Sequence, residues 1–158
     1  MKQKWKTLVV SILIPLAVGA IAGLLTMGGM KAFAAINKPP LSPPAWLFPV
    51  AWSILYTLMG ISSYLIYTSN EKENTELKSR ALTTYRYQLL VNFLWPVFFF
   101  NFQWYFFSFL WLVLLWILVA KMILEFGNIS TVAAGLNIPY LLWLGFAAYL
   151  NLGIWLLN

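Results

Sequence analysis

Five apolar runs of about 20 residues or more fill most of this chain. A helix crossing the hydrocarbon core of a bilayer needs about 20 consecutive, mostly apolar residues. The runs cover about residues 7–30, 44–67, 80–101, 106–126 and 131–157. Charge is scarce: 9% of the 158 residues are charged and 62% are apolar, whereas a soluble domain carries roughly 25% charged residues. So few charges cannot clothe a water-facing surface, and lipid must be the solvent for most of it. The expected fold class is therefore an all-α integral membrane protein, a five-transmembrane-helix bundle, with a single domain over residues 1–158. An ordinary soluble enzyme, a nucleic-acid domain and a disordered tail are excluded.

Breakers punctuate the runs. Gly28-Gly29 and the stretch from Asn37 to Pro44 separate the first two, and Ser69 to Asn74 separates the next pair. Asn101 to Tyr105 is short enough to make the third and fourth helices antiparallel neighbours. Gly127-Asn128 ends the fourth. Lys2, Lys4 and Lys6 ahead of an apolar run, with Ala32-Phe33-Ala34 behind it, have the outline of a secretory signal. The apolar stretch of about 24 residues exceeds a signal core, so it is read as a retained span.

The basic residues predict an orientation, because cytoplasmic loops carry an excess of Lys and Arg. With five spans, Lys2, Lys4, Lys6, Lys72, Lys78, Arg80, Arg86 and Lys121 fall on the N-terminal side, and only Lys31 and Lys38 on the other. The expectation is a bacterial cell membrane with the N-terminus cytoplasmic. The net charge of +6 is read as topology, not as a nucleic-acid signal. An odd number of spans argues against a simple inverted-repeat transporter.

The inventory excludes much chemistry. There is no Cys, His or Asp, so disulfides, thiolates, imidazole metal sites and serine–histidine catalysis are ruled out. The acids are Glu71, Glu73, Glu76 and Glu125, and no pair is placed for glycosidase-like work. No metal is expected.

Polar groups at membrane depth remain. Gln88, Asn92 and Trp95 stand at i, i+4 and i+7 and share a helix face; amides and an indole N–H should not point at lipid. Gln88 reads equally as interhelical glue or as part of a site. Asn92 with Trp95 reads as a pocket, and Pro96 cannot donate to the Asn92 carbonyl. Trp52, Tyr56 and Met59 form a second stripe. Tyr140, Trp143, Ala147 and Leu150 or Asn151 form a third, just after Pro139, which should bend its helix. A large ring beside small residues is either plain packing or the wall of a ligand slot. The proposed topology sets Trp52, Asn92, Trp95 and Ala147 at similar depth, with Trp143 nearer the middle. The proline-rich segment from about Lys31 to Pro43 lies on the same side and is stiff enough for a lid.

Blander readings apply elsewhere. Trp5, Trp46, Trp104 and Trp155 read as an interfacial belt. Trp111 and Trp116 are expected to face lipid or a partner. Lys121 and Glu125 form an i, i+4 pair. Glu71 to Arg80 is a solvated loop or short helix. Gly19-x-x-x-Gly23 is a small-residue contact, within the chain or between two copies.

Three spaced motifs carry a resemblance. Pro43-Pro44-Ala45-Trp46-Leu47-Phe48-Pro49-Val50-Ala51-Trp52-Ser53-Ile54-Leu55-Tyr56, then Gln88-Leu89 with Asn92, Trp95 and Pro96, then Pro139-Tyr140-Leu141-Leu142-Trp143 through Asn151 resemble the TspO/translocator protein family, also called tryptophan-rich sensory proteins or peripheral-type benzodiazepine receptors. The resemblance implies a five-helix bundle that dimerises. It also implies a pocket near the first loop for porphyrins and flat, drug-like ligands, lined here by Trp52, Tyr56, Asn92, Trp95, Trp143, Ala147 and Leu150. It implies light- and oxygen-dependent breakdown of protoporphyrin IX, with Trp52 and Trp143 as the catalytic candidates and no cofactor required. The alternative is a transporter or sensor of porphyrins, sterols or other lipid-like molecules, without turnover. Membrane lipid and a second copy are the expected partners, and nucleic acid is not. The sequence departs from the family at Leu41, where a tryptophan is frequent, at Phe107, and after Tyr149, where the animal sterol motif has a basic residue.

Overall fold

The computed structural model of the chain describes residues 1–70 and 75–158. Helix α1 spans Lys2–Phe33, α2 Leu47–Tyr67, α3 Thr75–Pro96, α4 Tyr105–Gly127, α5 the short Thr131–Gly135 and α6 Ile138–Leu157. Glu71, Lys72, Glu73 and Asn74, part of the polar stretch expected between the second and third spans, lie outside the described residues. The molecule is an all-α, five-helix membrane bundle, its fifth member formed by α5 and α6 together. Residues 34–46 define one end, called here the loop end. The starts of α1, α3 and α5 mark the opposite end.

Four segments are long and apolar enough to cross a membrane: Lys2–Phe33, Leu47–Tyr67, Tyr105–Gly127 and Thr131–Leu157. The third expected span does not meet that measure. Its 22 residues reach about 33 Å at 1.5 Å each, so length is adequate. Composition is the reason, since α3 carries Arg80, Arg86, Gln88 and Asn92. Gln88 and Asn92 are buried in the bundle, so α3 is the polar spine around which the apolar helices pack.

Several boundaries differ from expectation. Helix α1 takes in Lys2, Lys4 and Lys6. Helix α2 starts at Leu47, because Pro44 to Trp46 form a turn. Helix α3 starts at Thr75, so the segment 75–80, expected as loop or short helix, is its first turns. At its other end Pro96 supplies no N–H, and the backbone widens directly into a π-helical turn, Val97–Asn101. The Phe102 N–H donates to the Val97 carbonyl five residues back, at 3.1 Å. The fifth span is interrupted between Gly135 and Ile138, and Pro139 sits in the first turn of α6, where a missing N–H costs no intrahelical bond.

Lipid tails are as apolar as leucine, so association within the membrane rests on close packing and polar ties. Gly60 of α2 lies against the α1 backbone: a Cβ there would sit 2.5 Å from Ile12 Cα and 2.6 Å from the Ser11 carbonyl oxygen. Gly29 of α1 lies equally tight against the Phe100 carbonyl in the π turn. The Asn101 Nδ2 beside it donates to the Leu25 carbonyl at 3.0 Å. Helix α1 thus clamps α2 and the end of α3. Helix α4 packs between α3 and α6 and also touches α5. Its Leu112, Leu115, Val119, Met122 and Phe126 form the buried apolar centre.

Trp111 differs from expectation. It was expected to face lipid or a partner, but its indole N–H donates to the Val91 carbonyl at 2.8 Å and its ring packs on the core. Trp116 is exposed, as are Trp5, Trp46, Trp104 and Trp155 near the helix ends. Glu125 makes the expected contact with Lys121, at 3.5 Å. Both its oxygens also lie 3.1 Å from Thr84 Oγ1, which ties α4 to α3.

Candidate ligand-binding site

The three stripes meet in the middle of the bundle. Tyr56 of α2 donates its hydroxyl proton to Asn92 Oδ1 at 2.7 Å. Asn92 Nδ2 of α3 donates to the Tyr140 hydroxyl oxygen at 2.7 Å. Tyr140 of α6 donates to Gln88 Oε1 at 2.9 Å, and Gln88 Nε2 donates to Met59 Sδ of α2 at 3.3 Å. Every donor points the same way along this chain. All five residues are buried, and the chain ties three helices. A buried polar group without a partner is costly, so mutual satisfaction is the condition for placing amides here. Gln88 and Asn92 both serve as interhelical ties.

Rings cover this network on its loop-end side. Trp52 stacks on Tyr56 with centroids 5.4 Å apart. It meets Tyr140 and Trp143 edge-on at 6.1 and 6.5 Å. Phe48 meets Trp143 edge-on at 6.0 Å. Gly19 of α1 makes room for the Tyr56 ring, which a Cβ there would overlap. Helices α2 and α6 make little direct backbone contact, and these rings pack between them. One polar atom in the cluster is unsatisfied: the Trp143 indole N–H is buried and has no hydrogen-bond partner.

The expected site residues therefore divide. Trp52, Tyr56, Asn92 and Trp143 come together. Ala147, one turn beyond Trp143, is half-buried against the core, and Leu150 is buried. Trp95 lies in a neighbouring cluster nearer the loop end. It stacks on Phe99 at 5.0 Å and donates to Asn151 Oδ1 at 3.1 Å. Asn151 Nδ2 in turn donates to the Tyr105 carbonyl at 2.8 Å. Tyr140 and Phe48 were missed as site residues. Tyr140 belonged to the α6 stripe and to the third motif, and Phe48 to the first motif, but neither signal set them apart as site residues.

The first loop is fastened across α6. Asn37 and Asn158 pair reciprocally: the Asn37 N–H donates to Asn158 Oδ1 at 3.1 Å, and Asn158 Nδ2 to the Asn37 carbonyl at 2.8 Å. Tyr149 donates to the Pro40 carbonyl at 2.8 Å. Pro39 rests on Gly153, where a Cβ would come within 2.6 Å of its ring. Leu41 turns the loop with φ 68°, a left-handed conformation uncommon for a residue other than glycine. Lys38 lies 4.8 Å above the Phe33 ring, the only basic side chain besides Lys31 at this end among the described residues. Two open surface grooves lie elsewhere. One, of about 640 Å³, runs along Gln103–Phe107 and the end of α6; the other is at the opposite end.

Known proteins are similar to this chain in sequence. The TspO/MBR family matches residues 11–156. The tryptophan-rich protein TspO of Chlorobaculum tepidum is 33% identical, over 100% of this chain and 99% of its own. The tryptophan-rich protein TspO of Archaeoglobus fulgidus is 36% identical over 96% of each chain. The translocator protein of Ovis aries is 37% identical over 80% of this chain and 75% of its own.

Proposed function

The chain belongs to the TspO/MBR family, and from that premise we propose that it binds protoporphyrin IX between α2 and α6 and promotes its light- and oxygen-dependent breakdown. The observation that carries this reading is the Trp143 indole N–H, a buried donor left unpaired in a wall of aromatic rings. Such a wall suits a flat, mostly apolar ligand that brings one hydrogen-bond acceptor. Trp52, Tyr56, Trp143, Ala147 and Leu150 form the ligand face, with Asn92 and Trp95 acting from behind it.

The backbones of α2 and α6 make little direct contact, so a ligand enters between them by turning the rings of Trp52 and Trp143 aside. Lys31 and Lys38 stand at the loop end, where a propionate would emerge. The chain has no His or Cys, the usual strong axial ligands of haem iron, which favours the free-base porphyrin over haem. No cofactor is required, because the macrocycle absorbs the light and dioxygen is the oxidant. The indoles of Trp52 and Trp143 are the groups nearest the reacting ring. Below the slot, the Tyr56–Asn92–Tyr140–Gln88 chain closes the bundle, which favours binding at the site over passage through it. The same reading places the protein in a bacterial cell membrane, with the basic end cytoplasmic and two copies paired.

The test is protoporphyrin absorbance and fluorescence followed in light and in darkness with detergent-purified protein. Saturable binding, with spectral loss that needs light, the protein and both tryptophans, is the expected result. Trp52→Phe should keep most binding and lose breakdown. Binding without protein-dependent loss removes the degradation half of the proposal. The absence of saturable binding overturns it.

A further inference from the structure

An open surface groove lies at the opposite end of the molecule. The start of α1 and the last turn of α2 enclose a groove of about 440 Å³ lined by Met1, Lys2, Lys4, Trp5, Leu8 and Tyr64. Tyr64 lies 12 residues along α2 from Trp52, about 18 Å at 1.5 Å per residue, so the groove is separate from the ring cluster.

Its chemistry is one-sided. Lys2 and Lys4 are exposed. The ion pairs among the described residues join Arg80 to Glu76 and Lys121 to Glu125, so neither lysine is neutralised by a described carboxylate. Among the described residues no acidic side chain lines the groove. Trp5 and Leu8 give it an apolar floor, and Tyr64 brings a phenol to its wall. Both walls are ends of membrane-crossing helices, the depth at which lipid headgroups lie. An almost wholly apolar groove that two exposed lysines border, at that depth, matches acyl chains joined to a phosphodiester.

We propose that this groove seats one anionic phospholipid. Lys2 and Lys4 hold its headgroup, Tyr64 donates to it, and Trp5 and Leu8 pack on the glycerol and the first methylenes. The occupant bridges α1 and α2 about one helical turn beyond the Gly60 contact. General attraction of a basic surface for anionic lipid depends on total charge, whereas a built site depends on which lysine is removed.

That difference defines the experiment. The full chain is purified in detergent and titrated with dioleoyl-phosphatidylglycerol or dioleoyl-phosphatidylcholine, and bound lipid is counted by native mass spectrometry. One phosphatidylglycerol should bind in preference to phosphatidylcholine. Lys2→Gln with Lys4→Gln should weaken it roughly ten- to thirtyfold. Lys6→Gln, with the same charge change per substitution outside the groove, should leave it within about twofold. Equal losses from Lys4→Gln and Lys6→Gln would reduce the effect to bulk charge and overturn the proposal, as would equal binding of the two lipids. Porphyrin titration of the same variants should be unchanged, so this test stands apart from that of the ring cluster.

Discussion

At the scale of single residues, Asn92 and Trp143 take opposite roles. The Asn92 side-chain oxygen and nitrogen are both engaged, by Tyr56 and by Tyr140. Asn92→Leu removes two buried bonds, each worth about 0.6 kcal/mol in a membrane bundle and at most about 1.7. We expect a stability loss of roughly 1–2 kcal/mol, read as a lower Tm in detergent, with porphyrin affinity falling through misplaced rings. Trp143→Phe keeps an aromatic ring but replaces the indole with a smaller phenyl and deletes the unpaired N–H. It should lower Tm modestly through the lost packing and weaken an acceptor-bearing ligand roughly fivefold, the factor for about 1 kcal/mol. A Trp143→Phe protein that loses stability but not affinity would show that the N–H has no ligand to serve. Helical spacing alone put Gln88, Asn92 and Trp95 on one face. It could not say which atoms they meet, because that depends on how α2 and α6 slide against α3. Trp95 therefore read as a neighbour of Asn92 in one pocket, yet its indole goes to Asn151.

At the scale of elements, two glycines of similar appearance should behave differently. A Cβ on Gly60 meets α1 backbone, which cannot swing away as a flexible side chain would. Gly60→Ala should separate α1 from α2 and cost more than 2 kcal/mol, of the order of overpacking a tight core. Gly23, the second glycine of the G-x-x-x-G pair, has open space around its α-carbon. Gly23→Ala should be neutral or stabilise α1 by up to about 1 kcal/mol, the helix-propensity difference. Parallel thermal melts of the two variants check this, and a reversed order would mean that the α1–α2 seam lies elsewhere. The strap between the first loop and α6 gives a kinetic counterpart. Asn158→Ala removes both bonds to Asn37 and should speed ligand release several-fold in stopped-flow, with little change in Tm. An unchanged off-rate would show that the loop does not gate the site. The long apolar helices were legible because a bilayer demands length and composition. The π turn after α3 was not: Pro96 signals a missing donor, but whether a helix ends, kinks or widens there is decided by its neighbours. Here Gly29 of α1 and Asn101 accept the wider turn.

At the scale of the whole molecule, a five-helix membrane bundle followed from hydropathy, and its interior order did not. The helix that fails an apolar-span measure is the one that ties the bundle together, because its Gln88 and Asn92 are satisfied by side chains of α2 and α6 and are buried away from lipid. Their shared direction has a further consequence. The run from Tyr56 to Met59 ends at a thioether, which has no proton to give back, and two of its members are amides, which relay protons poorly. A proton entering at one end cannot be released at the other. Although polar and membrane-buried, this column is an electrical insulator, a strut where an ion-coupled pump would need a wire. A ligand bound between α2 and α6, as proposed, would draw nothing from the proton gradient by this route.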